Sequence, residues 1–160
     1  MKKATIRILL IIGMIGFIST QDTFAQKRVG GGFSWGSKVK DVGINFNAEI
    51  FVKDKIAISP NFIYYFVGSN LTYWELNGDV HYYFQGGDTG VYGIGGLNIT
   101  HRAIDIPGLG ISVSDSKFGL NVGAGYNFDL EGPIIPFGEV KYIISNFDQL
   151  VLSAGIRIGL

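Results

Sequence analysis

The 160-residue chain contains 24 glycines and many aromatic residues (12 Phe, 8 Tyr and 2 Trp), but no cysteine, and only 16% of its residues are charged. Lysine plus arginine and aspartate plus glutamate both number 13, so the formal net charge is zero, which excludes the basic surface of a nucleic-acid-binding protein. The lack of cysteine excludes a disulfide framework and a thiolate metal site, and the apolar, aromatic composition excludes a disordered chain.

The first 25 residues have the pattern of an export signal. Three basic residues lie before residue 8, and an apolar run covers residues 8–18. Thr23 and Ala25 place small residues at the −3 and −1 positions of a cleavage site. Because a helix that spans a membrane needs about 20 apolar residues, we expect residues 1–25 to be a cleaved signal peptide. Residues 26–160 then form one exported domain.

The rest of the chain alternates between bulky apolar side chains and small or polar ones with a period of two residues, which is typical of β-strands. In residues 117–128, for example, Phe118, Leu120 and Val122 share one face, and glycine and asparagine occupy the other. The alternation predicts eight strands, at residues 28–36, 44–52, 56–66, 73–84, 90–101, 117–128, 134–144 and 150–160. In the fifth strand the pattern changes face near Gly95 and Gly96, which predicts a β-bulge.

The connections between the predicted strands are short and longer in strict alternation. The short ones are 53–54, 85–89 and 129–132, and the longer ones are 37–40, 67–72, 103–115 and 145–148. Transmembrane β-barrels have this arrangement, with tight turns at one end and longer loops at the other. An even number of strands also brings both ends of the domain to the same side.

The two faces of the predicted strands differ in bulk as well as in polarity. The interior of an eight-stranded barrel is only wide enough for side chains to fill it. We therefore expect the glycine-, serine- and asparagine-rich face to lie inside and the bulky face to contact lipid. Closure of the barrel also removes the unpaired strand edges that hydrocarbon penalises.

Aromatic residues lie near both ends of the predicted strands, as the two interfacial girdles of a membrane barrel require. Near the short turns are Tyr82, Phe84, Tyr92, Tyr126 and Phe128, and near the longer loops are Trp35, Tyr64, Phe66, Trp74 and Tyr142. The alternative is a soluble secreted barrel or sandwich with an ordinary aromatic core.

Five segments of the sequence carry a resemblance to a known family: the end of the signal at residues 23–25, residues 79–84, residues 91–96, the glycine-rich residues 119–128 and the alternating C-terminal strand. With them the chain resembles the small outer-membrane barrels of the OmpA and OmpX type. The resemblance implies an all-β, eight-stranded, antiparallel up-and-down transmembrane barrel in the outer membrane of a Gram-negative bacterium. It also implies a monomer surrounded by outer-membrane lipid and inserted by the barrel-assembly machinery. The family usually ends in an aromatic residue, whereas this chain ends in Leu160.

Charged residues of both signs fall on the predicted inner face. They are Arg28, Glu49, Glu75, Asp79, Lys117, Glu139, Lys141 and Arg157. Because unpaired charges inside a barrel are costly, we expect them to pair, with Arg157 bound to one of the carboxylates. The balance of signs favours a lumen filled by side chains over a selective conduit, which tends to have a lining of one sign.

The sequence contains little that indicates catalysis. His81 is expected in the lumen and His101 near the outer rim, and neither has metal-ligand spacing around it. A nucleophilic serine needs an adjacent base, and Ser145, at the height where lipid A deacylases place theirs, has no histidine before it in its strand. We therefore expect no enzyme, no metal and no cofactor.

The longest connection, residues 103–115, continues the alternation beyond the membrane. Ile104 and Ile106 face Ile111 and Val113 across a Pro-Gly turn, which predicts a protruding hairpin. Its β-branched apolar residues could recruit a surface protein or a host partner by edge pairing. The alternative is a variable loop without a specific role.

The sequence thus leaves three functional hypotheses. The first is a non-enzymatic outer-membrane barrel that supports envelope integrity, adhesion or interaction through its external loops. The second is a narrow pore for ions or very small solutes. The third is a soluble secreted ligand-binding barrel.

Overall fold

The structure is a computed structural model, and it describes residues 26–68, 70–85, 89–106 and 111–160. The expected signal peptide, residues 1–25, lies outside the described residues. The strands are β1 (Lys27–Gly36), β2 (Val42–Lys53), β3 (Ile56–Tyr65), β4 (Leu71–Tyr83), β5 (Gly90–Ile106), β6 (Ile111–Asn127), β7 (Ile134–Ile144) and β8 (Gln149–Gly159). Within the described residues, no helix is long and apolar enough to cross a membrane.

The eight strands form one closed barrel in which each strand pairs with its neighbours in chain order. All the pairings are antiparallel, and β1 closes on β8 from Arg28↔Gly159 to Gly36↔Val151. The predicted fold class, an eight-stranded antiparallel up-and-down barrel, is therefore confirmed. We call the end with Lys27, Leu160 and the short β2–β3, β4–β5 and β6–β7 connections the turn end, and the opposite end the loop end.

The predicted bulge near Gly95 and Gly96 is wrong. β5 pairs with β4 and with β6 without a register shift through this region. Tyr92 and Ile94 are buried inside the barrel. In most strands the bulky residues lie outside the barrel and the small residues lie inside. In β5 this arrangement is reversed at this height, because bulky residues lie inside and glycines lie outside. The sequence pattern therefore indicated a change of face in a strand that is regular.

The outer wall of the barrel is apolar, and much of the interior is polar. Phe33 and Phe118 are 64% and 79% exposed on the outside, whereas Arg28, Glu49 and Arg157 are at most 1% exposed inside. This distribution is the inverse of a water-soluble core, in which large apolar side chains are buried and charges face solvent.

Two apolar clusters also fill the interior, one at each end. The turn-end cluster consists of Phe51, Ala57, Tyr83, Tyr92 and Ile94. The loop-end cluster consists of Ile63, Tyr65, Tyr73, Ile143 and Val151. The expectation that bulky residues belong only outside is thus wrong at the two ends, and Tyr92 is an interior residue instead of a girdle residue. Glycines make room for these rings: a Cβ at Gly125 would collide with the Tyr92 ring.

The β5–β6 hairpin rises beyond the rest of the barrel. β5 and β6 remain paired up to Ile106↔Ile111, whereas the β6–β7 ladder ends at Leu120↔Ile144. We call residues 101–106 and 111–116 the hairpin extension. The protruding hairpin is as predicted, and the Pro-Gly turn at its tip lies outside the described residues.

The seam between β1 and β8 depends on a close approach of two glycines. Gly32 lies directly opposite Gly155, and a Cβ on Gly32 would lie 2.6 Å from the Gly155 Cα. We expect Gly32→Val to lower the free energy of unfolding by about 1–3 kcal/mol, because overpacking forces the backbone to shift. Urea unfolding of the barrel in lipid vesicles measures this change.

Gly138→Val is the matched control, since nothing lies within 4 Å of a Cβ at Gly138. This variant should unfold like the wild-type protein. An equal loss of stability in both variants would show that the seam is not closely packed.

Candidate functional site

Arg157, on β8, is the centre of a buried polar network in the turn-end half of the lumen. Its guanidinium donates to Glu139 Oε1 at 2.5 Å, to Asn127 Oδ1 at 2.6 Å and to the Tyr92 hydroxyl at 2.9 Å. Its Nε donates to Asn47 Oδ1 at 3.0 Å. One side chain therefore joins five strands, β2, β5, β6, β7 and its own β8.

Glu49, on β2, is the second centre of this network. Arg28 and Arg157 each place an Nη1 atom 3.5 Å from one of its oxygens. His81 Nδ1 lies 2.7 Å from Glu49 Oε1, and the Tyr83 hydroxyl donates to the same oxygen at 2.7 Å. Hydrogen bonds to a charged group are among the stronger interactions in a protein, so Glu49 and Arg157 hold this half of the interior together.

A second ion pair lies near the middle of the barrel. Lys141, on β7, donates to Asp79 Oδ2 on β4 at 2.9 Å, and both side chains are 3% exposed. Asn121, on β6, donates to the other oxygen, Asp79 Oδ1, at 2.6 Å. The pair therefore spans the lumen and ties opposite walls to each other.

Amides and hydroxyls form a chain of hydrogen bonds around the inner wall at this height. We call it the amide belt, and its members are Ser153, Ser34, Asn45, Asn61, Asn77, Asn98 and Asn121. Asn77 Oδ1 accepts from both Asn98 and Asn121, at 2.8 and 2.9 Å. The belt takes one residue from every strand except β7, and β7 joins it through Lys141 and Asp79.

Two of the eight predicted lumen charges depart from the expectation. Glu75 is fully buried near the loop end, but it accepts a hydrogen bond from Gln149 and has no ion-pair partner among the described residues. Lys117 pairs with Asp115 at 3.1 Å and is 35% exposed. β6 continues beyond the ladder with β7, so Lys117 lies above the closed part of the barrel although it is on the inner face.

The other six residues meet inside the lumen, and Arg157 bonds to two of the carboxylates. The polar side chains between the two apolar clusters bond mainly to one another. Such an arrangement is a packed polar core, and among the described residues no group of three or more acidic or histidine side chains is placed to hold a metal ion.

The two histidines have different surroundings. His81 is buried in the lumen network. His101 lies on the outer wall, where its ring stacks on Trp74 at 4.9 Å and its Nδ1 lies 2.8 Å from Ser116 Oγ. Sequence reasoning did not find Ser116, because only the β5–β6 register places it opposite His101. Among the described residues no carboxylate bonds to this imidazole, so the pair lacks the acid of a catalytic triad.

The hairpin extension reverses the pattern of the outer wall. Ile99 pairs with Phe118 on the outside of the barrel, and one row higher His101 pairs with Ser116. By strand alternation, Ile104 and Val113 lie on the face of the extension that is continuous with the inner wall. Ile104 and Val113 are directly opposite each other there and are 41% and 58% exposed.

No protein-family model and no curated protein sequence matches the chain. Solved structures do match it. The N-terminal β-barrel domain of OprF from Pseudomonas aeruginosa is similar with a TM-score of 0.65 and 12% identity, over 85% of this chain and 99% of that chain. Neisserial surface protein A is similar with a TM-score of 0.60 and 15% identity, over 84% and 96%.

Ail of Yersinia pestis, solved in complex with the heparin analogue sucrose octasulfate, is similar with a TM-score of 0.56 and 16% identity, over 84% of this chain and 99% of that chain. At these identities the likeness is one of fold. The chain therefore has the fold of the small eight-stranded outer-membrane barrels, as the sequence resemblance predicted.

Removal of the Arg157 side-chain charge should be strongly destabilising. We expect Arg157→Met to lower the free energy of unfolding by about 3–5 kcal/mol, because Glu49 and Glu139 would stay buried with fewer cationic partners. Urea unfolding of the barrel in lipid vesicles measures the change.

Lys117→Met is the matched control, since it removes a cation from a partly exposed ion pair. Such pairs contribute about 0–1 kcal/mol. If the two variants lost similar stability, the lumen network would not be the stabilising element that its geometry indicates.

Proposed function

We propose that the protein is a non-enzymatic integral barrel of the outer membrane, exported with the signal peptide at residues 1–25. Residues 26–160 would form the membrane domain, inserted by the barrel-assembly machinery and present as a monomer. The apolar outer wall and the likeness of fold to outer-membrane barrels support this proposal. Closure of all eight strands supports it too, because a barrel leaves no strand edge unpaired in hydrocarbon.

The observation that carries the proposed role is the free edge of β6. The strand pairs with β5 from Ile111 to Asn127, but its ladder with β7 begins only at Leu120. Among the described residues, no strand pairs with the second side of residues 111–119. Such an edge has unpaired N–H and C=O groups that can bind a further strand. We infer that the protein acts at the cell surface by adding an extended segment of a partner protein to this edge.

The apolar residues of the hairpin extension would give this edge its specificity. They are Ile104 and Val113, and the side chains of Ile106 and Ile111, which the sequence predicts for the same role, lie outside the described residues. In strand addition, main-chain hydrogen bonds provide affinity and alternate side chains select the partner. Ail, which shares the fold, binds a heparin analogue, so a barrel of this size can bind a ligand in addition to spanning a membrane. The proposed role is therefore adhesion or attachment, in which the hairpin extension binds a surface protein outside the cell envelope.

The packed lumen supports a structural role over conduction. Apolar clusters lie at both ends, and the ion pairs and the amide belt fill the space between them. A conducting path would have to break these contacts. Single-channel recording in planar bilayers separates the two functions, because discrete current steps from the wild-type protein would favour the narrow pore.

The membrane location can be tested by fractionation. We expect the mature protein in the outer-membrane fraction, with a faster migration on gels when unheated, because a closed barrel resists detergent until it is boiled. Recovery in the soluble fraction with a single gel mobility would contradict the proposal and would favour the secreted ligand-binding barrel.

The surface role can be tested by shortening the hairpin. Replacement of residues 104–113 by a two-residue turn should lower adhesion of expressing cells by about tenfold, which corresponds to about 1.4 kcal/mol of binding free energy. The reason is that the replacement removes residues 111–113 of the free edge together with the apolar residues of the hairpin extension. Counting attached cells measures the effect.

Asn146→Ala, in the exposed β7–β8 connection, is the control for a general disturbance of the loop end. Both variants should keep the unheated gel mobility of a folded barrel. Adhesion that is unchanged after shortening would remove the hairpin from the proposal.

A further inference from the structure

One buried carboxylate of the lumen has no cationic partner among the described residues. Glu75, on β4, is fully buried, and its Oε1 accepts a hydrogen bond from the Gln149 amide at the start of β8. Its other oxygen, Oε2, is buried and has no hydrogen-bond partner in the described part of the chain. An ionised carboxylate inside a protein is costly unless it is paired and hydrogen-bonded. Glu75 therefore needs a positive charge that the described side chains around it do not supply.

The cations of the lumen are bound to other carboxylates. In the turn-end half, the two arginines and the histidine of the network contact Glu49 or Glu139. Near the middle, Lys141 donates to Asp79 at 2.9 Å. Inside the closed part of the barrel, the described residues thus include four carboxylates but three lysine or arginine side chains. Glu75 is the carboxylate in excess.

Two further buried oxygens lie beside Glu75, and neither has a hydrogen-bond partner among the residues that the structure describes. They are Gln149 Oε1 and the Tyr65 hydroxyl. A Cβ on Gly36 would lie 2.7 Å from the first and 3.2 Å from the second, so both oxygens face one point at the end of β1. Gln149 bonds directly to Glu75, and Tyr65 also interacts electrostatically with that carboxylate. We call Glu75 Oε2, Gln149 Oε1 and the Tyr65 hydroxyl the oxygen pocket.

The loop-end apolar cluster encloses the oxygen pocket. Ile63 is paired with Glu75 across β3 and β4, and Ile143 is paired with Gln149 across β7 and β8. Two valines from the β1–β2 and β3–β4 connections pack against this cluster. Opposite charges attract each other more strongly in such surroundings than in water, because the local dielectric constant is low. A cation beside Glu75 would therefore be held firmly.

We propose that the oxygen pocket binds one monovalent alkali cation, for which Na⁺ is the probe. All three protein ligands would be oxygens, the atoms that hard cations prefer. A single positive charge would balance the one carboxylate in excess, whereas a divalent ion would leave a surplus charge in the lumen. The sequence prediction of no metal considered only the spacing of histidine and acidic residues, and this pocket contains a single acid.

A proton and a water molecule are the two alternatives to a bound cation. A proton on Glu75 Oε2 would neutralise the charge, but it could donate only one hydrogen bond to the other oxygens of the pocket. Water could bridge the oxygens, but it would leave the buried charge unbalanced, which is costly. A cation balances the charge and contacts all three oxygens at once.

The dependence of stability on Na⁺ tests the proposal. The full chain is expressed, and the mature barrel is unfolded with urea in neutral lipid vesicles at constant pH and ionic strength. Na⁺ is exchanged against N-methylglucamine, a cation too bulky for the pocket. A ligand that binds only the folded state stabilises it by mass action, so the folding equilibrium constant should rise about tenfold for each tenfold increase of Na⁺ above its dissociation constant. Wild-type stability that does not change with Na⁺ would overturn the proposal.

Glu75→Gln keeps the shape of the side chain and removes its charge, so the effect of Na⁺ should disappear in this variant. Glu131→Gln is the matched control, since it removes a carboxylate from the exposed β6–β7 connection. It should respond to Na⁺ like the wild-type protein. An unchanged Na⁺ effect in Glu75→Gln, or an equal loss of the effect in both variants, would contradict the site.

Direct counting of bound ions does not depend on whether a variant folds. Equilibrium dialysis of the wild-type barrel in uncharged detergent with radioactive Na⁺ should give one bound ion for each protein molecule. An excess of N-methylglucamine should not displace it. A count of zero would mean that a proton or water occupies the pocket and would overturn the proposal. Because the pocket lies inside the lumen, this result would leave the predicted fractionation and adhesion unchanged.

Discussion

The interior of this barrel is a narrow, closed space in which each charged or amide side chain needs a partner within the protein. Two centres, Arg157 and Glu49, satisfy this constraint in the turn-end half, and the pair of Lys141 and Asp79 does so near the middle. The members of the amide belt likewise hydrogen-bond to one another around the inner wall. Because these bonds join strands that are not neighbours, they fix the relative positions of all eight strands as well as neutralising charge. An unsatisfied group would cost about 1–3 kcal/mol, so the polar interior specifies the register.

Most polar side chains of the lumen bond to one another, although Glu75 Oε2 and Asn121 Oδ1 have no hydrogen-bond partner among the described residues. The outer wall does not share this constraint. The wall is apolar where the barrel is closed, and it becomes polar at the row that contains His101 and Ser116. The hairpin extension begins at that row. The same two strands thus contribute to the packed lumen and to the proposed binding edge, at successive heights. Each role depends on strand alternation, since a shift of one residue would exchange the inner and outer faces.

Much of this architecture can be predicted from the sequence because the period-two pattern is strong. The strand count, the two faces and the protruding hairpin all follow from it. One error arises where bulky residues lie inside the barrel and small residues lie outside. In β5, inward Tyr92 and Ile94 beside outward glycines mimic a bulge. The amide belt and the pair of His101 and Ser116 depend on partners far apart in the chain, and only the cross-strand register brings them together. Lys117 lies above the closed part of the barrel because β7 ends below it. The sequence around Lys117 does not indicate where β7 ends.

The place of Arg157 in the last strand has a consequence for biogenesis. The acceptors of its guanidinium lie on β2, β5, β6 and β7, all of which precede it in the chain. Before β8 docks, Glu49 and Glu139 lack the Arg157 cation. A barrel without its last strand would therefore have a higher electrostatic free energy than the closed barrel. Docking of the last strand therefore both closes the barrel and gives these buried carboxylates the Arg157 cation.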